Sequence, residues 1–227
     1  MTPDLFPANL LLGRLLYRDA MMLIIDKPAG LPVHAGPGGG PNLEMLFDAL
    51  RFGLPRLPAL AHRLDRDTSG CLALGRHRKA LARLGKLFMQ GKVAKTYWAV
   101  VAGAPPAPEG RVDQPLAKLT PKRGWKMVIA PHGQPTVTDY RVLAHAEGMS
   151  WLELKPHTGR THQIRVHCAH LGCLVLGDAV YGSGDRPLHL HARALSVPLY
   201  PTKPPIAVEA PPPPHMLAAL KACGWSG

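Results

Sequence analysis

The chain has 227 residues, with 27 Lys and Arg against 15 Asp and Glu, a formal net charge of +12 and a pI near 9.9. That length allows one well-buried core, or two small lobes sharing a sheet, and so basic a charge points to polyanionic partners. No apolar run approaches the roughly 18 residues of a membrane span, no long basic amphipathic helix is present, and Met1 to Pro7 lack a signal-peptide pattern, so a soluble, cytoplasmic protein with no membrane partner is expected.

Residues 1–15 are short and apolar and read as a surface strand or arm. Met22-Leu23-Ile24-Ile25 is a buried strand ended by a turn at Lys27-Pro28-Ala29-Gly30. Lys27 there is either an exposed turn lysine or a contact to substrate or a polyanionic partner. Ala35 to Pro41 is glycine-rich but lacks the Lys-Ser/Thr ending of a phosphate-binding loop, so it reads as a flexible surface loop. Asn42 can cap a helix whose Leu43, Leu46, Phe47 and Leu50 share one face.

The chain then reaches Ala61-His62-Arg63-Leu64-Asp65-Arg66-Asp67-Thr68-Ser69-Gly70, followed by the apolar Cys71-Leu72-Ala73-Leu74. Thr-Ser-Gly suits a tight reversal into a buried strand. A carboxylate held among arginines stays ionised, which is one way to prepare an oxygen nucleophile. By composition alone, a solvated charged loop explains the same run.

His77 to Gln90 has Leu81, Leu84, Leu87 and Phe88 at helical spacing, with Arg78, Lys79, Arg83 and Lys86 on the other face. That basic face is a phosphate-contacting surface or simply a solvated one. Lys92 to Val101 is β-branched and aromatic, hence a strand, and contains Lys95-Thr96-Tyr97. Core packing is the default for a strand tyrosine.

Ala104 to Gly110 is a proline-rich loop expected to link two lobes. Lys118, Lys122, Arg123 and Lys126 surround Trp125 and read as a mobile loop of the kind that contacts nucleic acid. Pro135 to Leu143 and Ser150 to Pro156 alternate as paired strands. Thr158-Gly159-Arg160-Thr161-His162-Gln163-Ile164-Arg165-Val166-His167 suits a helix start at Thr158-Gly159, with Ile164, Cys168 and Leu171 on one face and Arg165 near its edge. His162, His167, Cys168, His170 and Cys173 crowd together, but their spacing fits no common zinc pattern, and the four cysteines form no Cys-x-x-Cys pair. Asp178, in Leu176 to Gly182, is expected to bond loop amides. Leu188 to Leu195 is a strand, Pro198 to Pro214 an extended strap, and His215 to Cys223 a closing helix.

His62-Arg63-Leu64-Asp65-x-x-Thr68-Ser69-Gly70 resembles the signature of the RluA-type pseudouridine synthases, enzymes that isomerise uridine within RNA. Lys27 to Leu31, Lys95-Thr96-Tyr97, Gly110 to Leu116, Thr158 to His167, Leu176 to Gly182 and Leu188 to Leu195 resemble further elements of that family in the same order. The resemblance runs from about Tyr17 to about Pro211. It implies an α+β pseudouridine synthase fold, with a mixed, largely antiparallel central sheet in two lobes flanked by helices and loops. The whole of 1–227 would be one catalytic domain, without the separate N-terminal RNA-binding domain that many members carry.

It also implies roles. Asp65 would be the catalytic carboxylate, with Asp67 a bystander. Arg165 would pair with Asp65 and hold it anionic, a role that overlaps with a structural salt bridge. Tyr97 would pack on the target base, Arg63 would fill the stack vacated by a flipped uridine, and the apolar Leu190 would line the pocket. His62 completes the substrate-binding set, with Arg160 as a helix-start or phosphate contact. The isomerisation needs no cofactor and no metal, the partner is ribosomal RNA, transfer RNA or both, and a monomer is expected. Attack on the base, attack on the ribose and steering of proton removal all remain open to Asp65. Two other classes stay in view: a glycosidase-like hydrolase using Asp65 and Asp67 as a pair, and a non-catalytic RNA-binding protein on the same fold.

Overall fold

The computed structural model describes residues 7, 9–36, 38–119 and 125–227. Its strands are β1 (Leu15–Arg18), β2 (Met22–Lys27), β3 (Ala59–Leu60), β4 (Ser69–Gly75), β5 (Ala94–Ala102), β6 (Glu109–Asp113), β7 (Leu116–Leu119), β8 (Lys126–Ile129), β9 (Val137–Ala146), β10 (Met149–Pro156), β11 (Leu190–Val197) and β12 (Ile206–Glu209). The α-helices are α1 (Arg78–Met89), α2 (Gln163–His170) and α3 (Pro214–Ala222), with 3-10 helices at Leu12–Arg14 and Leu43–Leu50. Two compact units divide the chain: Met1–Ala94 with Ala192–Pro211, and Lys95–His191 with Pro212–Gly227.

In the first unit the strands run β1-β2-β4-β11, with β12 against β11 and β3 against β4. β2 and β4 pair antiparallel from Met22 opposite Gly75 to Lys27 opposite Gly70. Every residue of β4 is buried. That is why it reads as a continuous apolar run and not as an alternation: both of its faces are covered. Met22, Ile24, Cys71, Ala73, Leu195 and Val197 form one side's core, and Leu84, Leu87 and Phe88 of α1 pack on it. His77 caps α1, its Nδ1 accepting from Ala80 N at 3.2 Å. Gly70 has φ +106°, and a Cβ there would lie 2.3 Å from Ala192 O, so only glycine fits.

Three expectations change here. The Asn42-capped segment is a 3-10 helix, its cap bonding Glu44 N at 3.1 Å. The reversal before β4 lies at Asp65 to Thr68, while Ser69-Gly70 already belong to the strand. The proline-rich strap contains β12, because Ile206 to Glu209 find backbone partners on Ala194 to Val197.

In the second unit the order is β5-β10-β9-β6, antiparallel throughout, with β7-β8 as a separate pair. Ala99, Val101, Leu152, Leu154, Ile164, Cys168 and Leu190 build its core, placing Ile164 and Cys168 of α2 on the buried face as their spacing required. Trp98 meets Trp151 edge-on at 4.7 Å beside Met216 and Leu220 of α3. The proline-rich loop at 104–110 joins β5 to β6 inside this unit, so it links two strands and not two lobes. The α+β class with largely antiparallel strands is the one the sequence implied. No helix among the described residues is long and apolar enough to cross a membrane.

Candidate functional site

The signature loop is built in the first unit from side chains that alternate between core and surface. Leu64 is buried, Arg63 exposed and Asp65 half-buried. Thr68 N donates to Asp65 O at 3.2 Å, closing a four-residue turn around Arg66 and Asp67. Lys27 holds that turn. It has no exposed surface, and its Nζ donates to Pro28 O at 2.7 Å, Leu31 O at 2.8 Å and Arg66 O at 2.9 Å. It is therefore neither an exposed turn lysine nor a surface contact. The strand before it is buried on both faces, and the signature turn supplies a carbonyl to its last residue. Burial pushes the Lys27 ammonium down to about 7, against the pull of Asp67, Asp65 and Asp26. Asp67 lies 3.1 Å from Arg66 in an exposed pair. His62 stacks on Phe88 at 4.3 Å, and its Nε2 accepts from Ala73 N at 3.0 Å, which ties the start of the loop to α1 and β4.

In the second unit Tyr97 stands half-buried on β5, opposite Leu154 of β10. Its motif neighbour Lys95 donates to Thr158 O at 2.7 Å, and burial lowers this ammonium to about 8. The segment expected to open a helix at Thr158-Gly159 stays a loop, and α2 begins only at Gln163. The buried Gln163 amide accounts for this: its Oε1 accepts from Thr158 Oγ1 at 2.7 Å and Arg160 N at 3.1 Å. Its Nε2 donates to Val137 O and Thr138 Oγ1, each at 3.0 Å. These bonds satisfy the loop without a helical turn.

Arg165 is 6% exposed and forks onto Asp178, Nε to Oδ2 at 2.7 Å and Nη2 to Oδ1 at 2.6 Å. Burial pushes the Asp178 carboxyl up, but the Arg165 bonds and charge, with the amides of Tyr181 and Val180, outweigh it and leave the group below the usual carboxylate range. Asp178 does bond loop amides, from Val180 N at 2.8 Å and Tyr181 N at 3.0 Å. Its second task, gripping Arg165, was not read from sequence, nor was the clamp at Gln163.

Arg160 is exposed on the loop, and Leu190 is a core residue at 3% exposure. Thus His62, Arg63 and Asp65 belong to the first unit, and Tyr97, Arg160, Arg165 and Leu190 to the second. In the histidine and cysteine cluster, both His167 ring nitrogens are engaged, with Thr138 and Thr136 hydroxyls at 2.9 Å. Burial raises the Cys168 and Cys173 thiols. Among the described residues no group of three or more His, Cys, Asp or Glu is arranged to hold a metal ion. Lys118, Trp125 and Lys126 are exposed, while Lys122 and Arg123 lie outside the described residues.

Residues 21–170 match the family model described as RNA pseudouridylate synthase. An uncharacterised RNA pseudouridine synthase of Zymomonas mobilis is 46% identical over 208 residues, 89% of this chain and 94% of that protein. The ribosomal large subunit pseudouridine synthase C of Buchnera aphidicola is 40% identical over 79% of this chain, which spans 58% of that longer enzyme. Among solved structures, human RNA pseudouridylate synthase domain containing 4 superposes with a TM-score of 0.79 at 28% identity, covering 95% of each chain.

Proposed function

Since the chain belongs to the RNA pseudouridylate synthase family, we propose that Asp65 is the carboxylate with which it converts uridine in RNA to pseudouridine. The reaction breaks the N1–C1′ bond, forms a C5–C1′ bond, and trades the proton on C5 for one on N1. No net oxidation or reduction takes place. A stacked uridine does not expose these atoms, so the nucleotide must be turned out of the helix at a cost of about a few kcal/mol.

The observation that carries the reading is the seating of Asp65. It stands half-buried at the head of a turn whose next carbonyl is bonded to a fully buried lysine, so its backbone is held while its side chain stays accessible. Arg63, exposed on the same loop, takes the place of the extruded base. Tyr97 packs on the uracil, and Leu190 backs the pocket from the core. Arg165, fixed by Asp178, is assigned to the substrate side of the second unit, and the reading requires it and Asp65 to serve one uridine. His62 fixes the start of the loop and Arg160 takes a phosphate. Ribosomal RNA is the first substrate to try, because the Buchnera relative is named for the large ribosomal subunit.

The test incubates ribosomal and transfer RNA transcripts with the protein and quantifies pseudouridine after digestion to nucleosides. Wild type is expected to form it in ribosomal RNA, Asp67→Asn to do the same, and Asp65→Asn to form none. Equal loss in both variants would point to a carboxylate pair and reject the single-aspartate chemistry.

A further inference from the structure

Tyr181 sits where three parts of the second unit meet. Its hydroxyl is 3.0 Å from Met127 N and 3.1 Å from Met127 O on β8, and 3.1 Å from His162 Nδ1 at the entry to α2. With one proton to give, the oxygen donates to Met127 O and accepts from Met127 N and from a protonated Nδ1. The Tyr181 ring lies beneath the Arg165 guanidinium at 5.3 Å, and its amide donates to Asp178, the residue that grips Arg165.

The β7-β8 pair is tied in by a second contact. Trp125, just before β8, stacks on His162 with centroids 5.2 Å apart and planes 26° apart. His162 holds φ 54°, in the left-handed region, and presents its ring edge-on to Tyr181 at 5.7 Å. Lys118 Nζ lies 5.4 Å over the Trp125 ring. A two-stranded ribbon is marginal by itself, so its position depends on anchors of this kind. Its exposed Lys118, Trp125 and Lys126 have the chemistry to meet an RNA backbone and a base.

We propose that Tyr181 is a positioning residue. One residue fixes both the basic β7-β8 ribbon, through its hydroxyl, and the aim of Arg165, through its ring and its backbone amide, so that seating RNA on the ribbon and orienting the guanidinium are coupled. The inference rests on the functional reading above. It separates the two halves of the tyrosine, because a role in packing alone would not need the hydroxyl.

The experiment compares Tyr181→Phe and Tyr181→Leu with wild type, by initial rates of tritium release from RNA labelled at uridine C5 and by Trp125 emission without RNA, taken as the difference from Trp125→Phe in each background. Tyr181→Phe is expected to raise KM about 5–10-fold, the loss of one or two net hydrogen bonds, to lower kcat much less, and to shift Trp125 emission. Tyr181→Leu is expected to lower kcat about tenfold as well, since the guanidinium loses its aromatic face. A Tyr181→Phe protein with wild-type KM and wild-type Trp125 emission overturns the proposal, as does a Tyr181→Leu protein whose kcat falls only in proportion to its unfolded fraction. Wild type releasing no tritium would instead overturn the functional reading itself, and the coupling with it.

Discussion

Taking a lysine wholly out of water is costly unless each of its protons finds an acceptor, and Lys27 finds three carbonyls. One of them belongs to Arg66, next to the proposed catalytic aspartate. Burial still lowers this ammonium from its ordinary 10.5 to about 7. Between those values the unfolded chain holds the proton and the folded chain has released it, so Lys27 makes stability rise with pH across that window. Urea unfolding of wild type and Lys27→Met at about pH 7 and about pH 10 should show that rise reduced in the variant. An identical rise in both would contradict the assignment. At this scale the sequence was informative about residue type and poor about surroundings. Lys27 stood at the end of an evident buried strand, but nothing nearby in the chain signals that one of its three acceptors lies 39 residues further on.

At the scale of elements, the second unit hangs its chemistry on α2, and the Arg165–Asp178 pair ties that helix to the loop before β11. Both side chains are almost fully buried, so removing one leaves the other charge uncompensated. Asp178→Ala should lower unfolding free energy by about 3–5 kcal/mol. Because the Asp178 carboxyl is depressed, the pair's contribution is present above its ordinary 3.8 and is lost as pH falls through the lowered value. A variant as stable as wild type at neutral pH would contradict this account of the pair. The apolar periodicity of Ile164, Cys168 and Leu171 made the helix legible. Its start was not, because a glutamine side chain bonding backwards to residues 158 and 160 resembles no sequence cap. Tyr181 escaped for a related reason. Its three partners come from β8, from the entry to α2 and from α2 itself, and no local pattern joins them.

For the molecule as a whole, the excess of 27 cations over 15 anions sets the affinity for a polyanion. The resemblance made the α+β class readable: its motifs end β2 and lead into β4, β5 and β11, while Thr158 to His167 runs into α2 and Leu176 to Gly182 stays in a loop. The proline-rich loop was expected to link two lobes, but the chain passes between its two units inside strands β5 and β11 and again at Pro211–Pro212. The α1 face is the clearest basic surface: Arg78, Lys79 and Lys86 are exposed and Arg83 half-buried, opposite the buried Ala80 and Leu84. Replacing Lys79 and Lys86 with alanine should weaken RNA binding and flatten the plot of log affinity against log salt by about 0.7–0.9 for each phosphate no longer neutralised. Fluorescence anisotropy across a salt series reads both. An unchanged slope would leave that face merely solvated.

Single-turnover tritium release from RNA labelled at uridine C5 asks most directly whether Asp65 performs the chemistry. Excess wild-type protein should release the label. Asp65→Asn, holding the same RNA with affinity within a few-fold, should release it about a thousandfold more slowly or not at all. Release by Asp65→Asn at the wild-type rate would contradict the assignment.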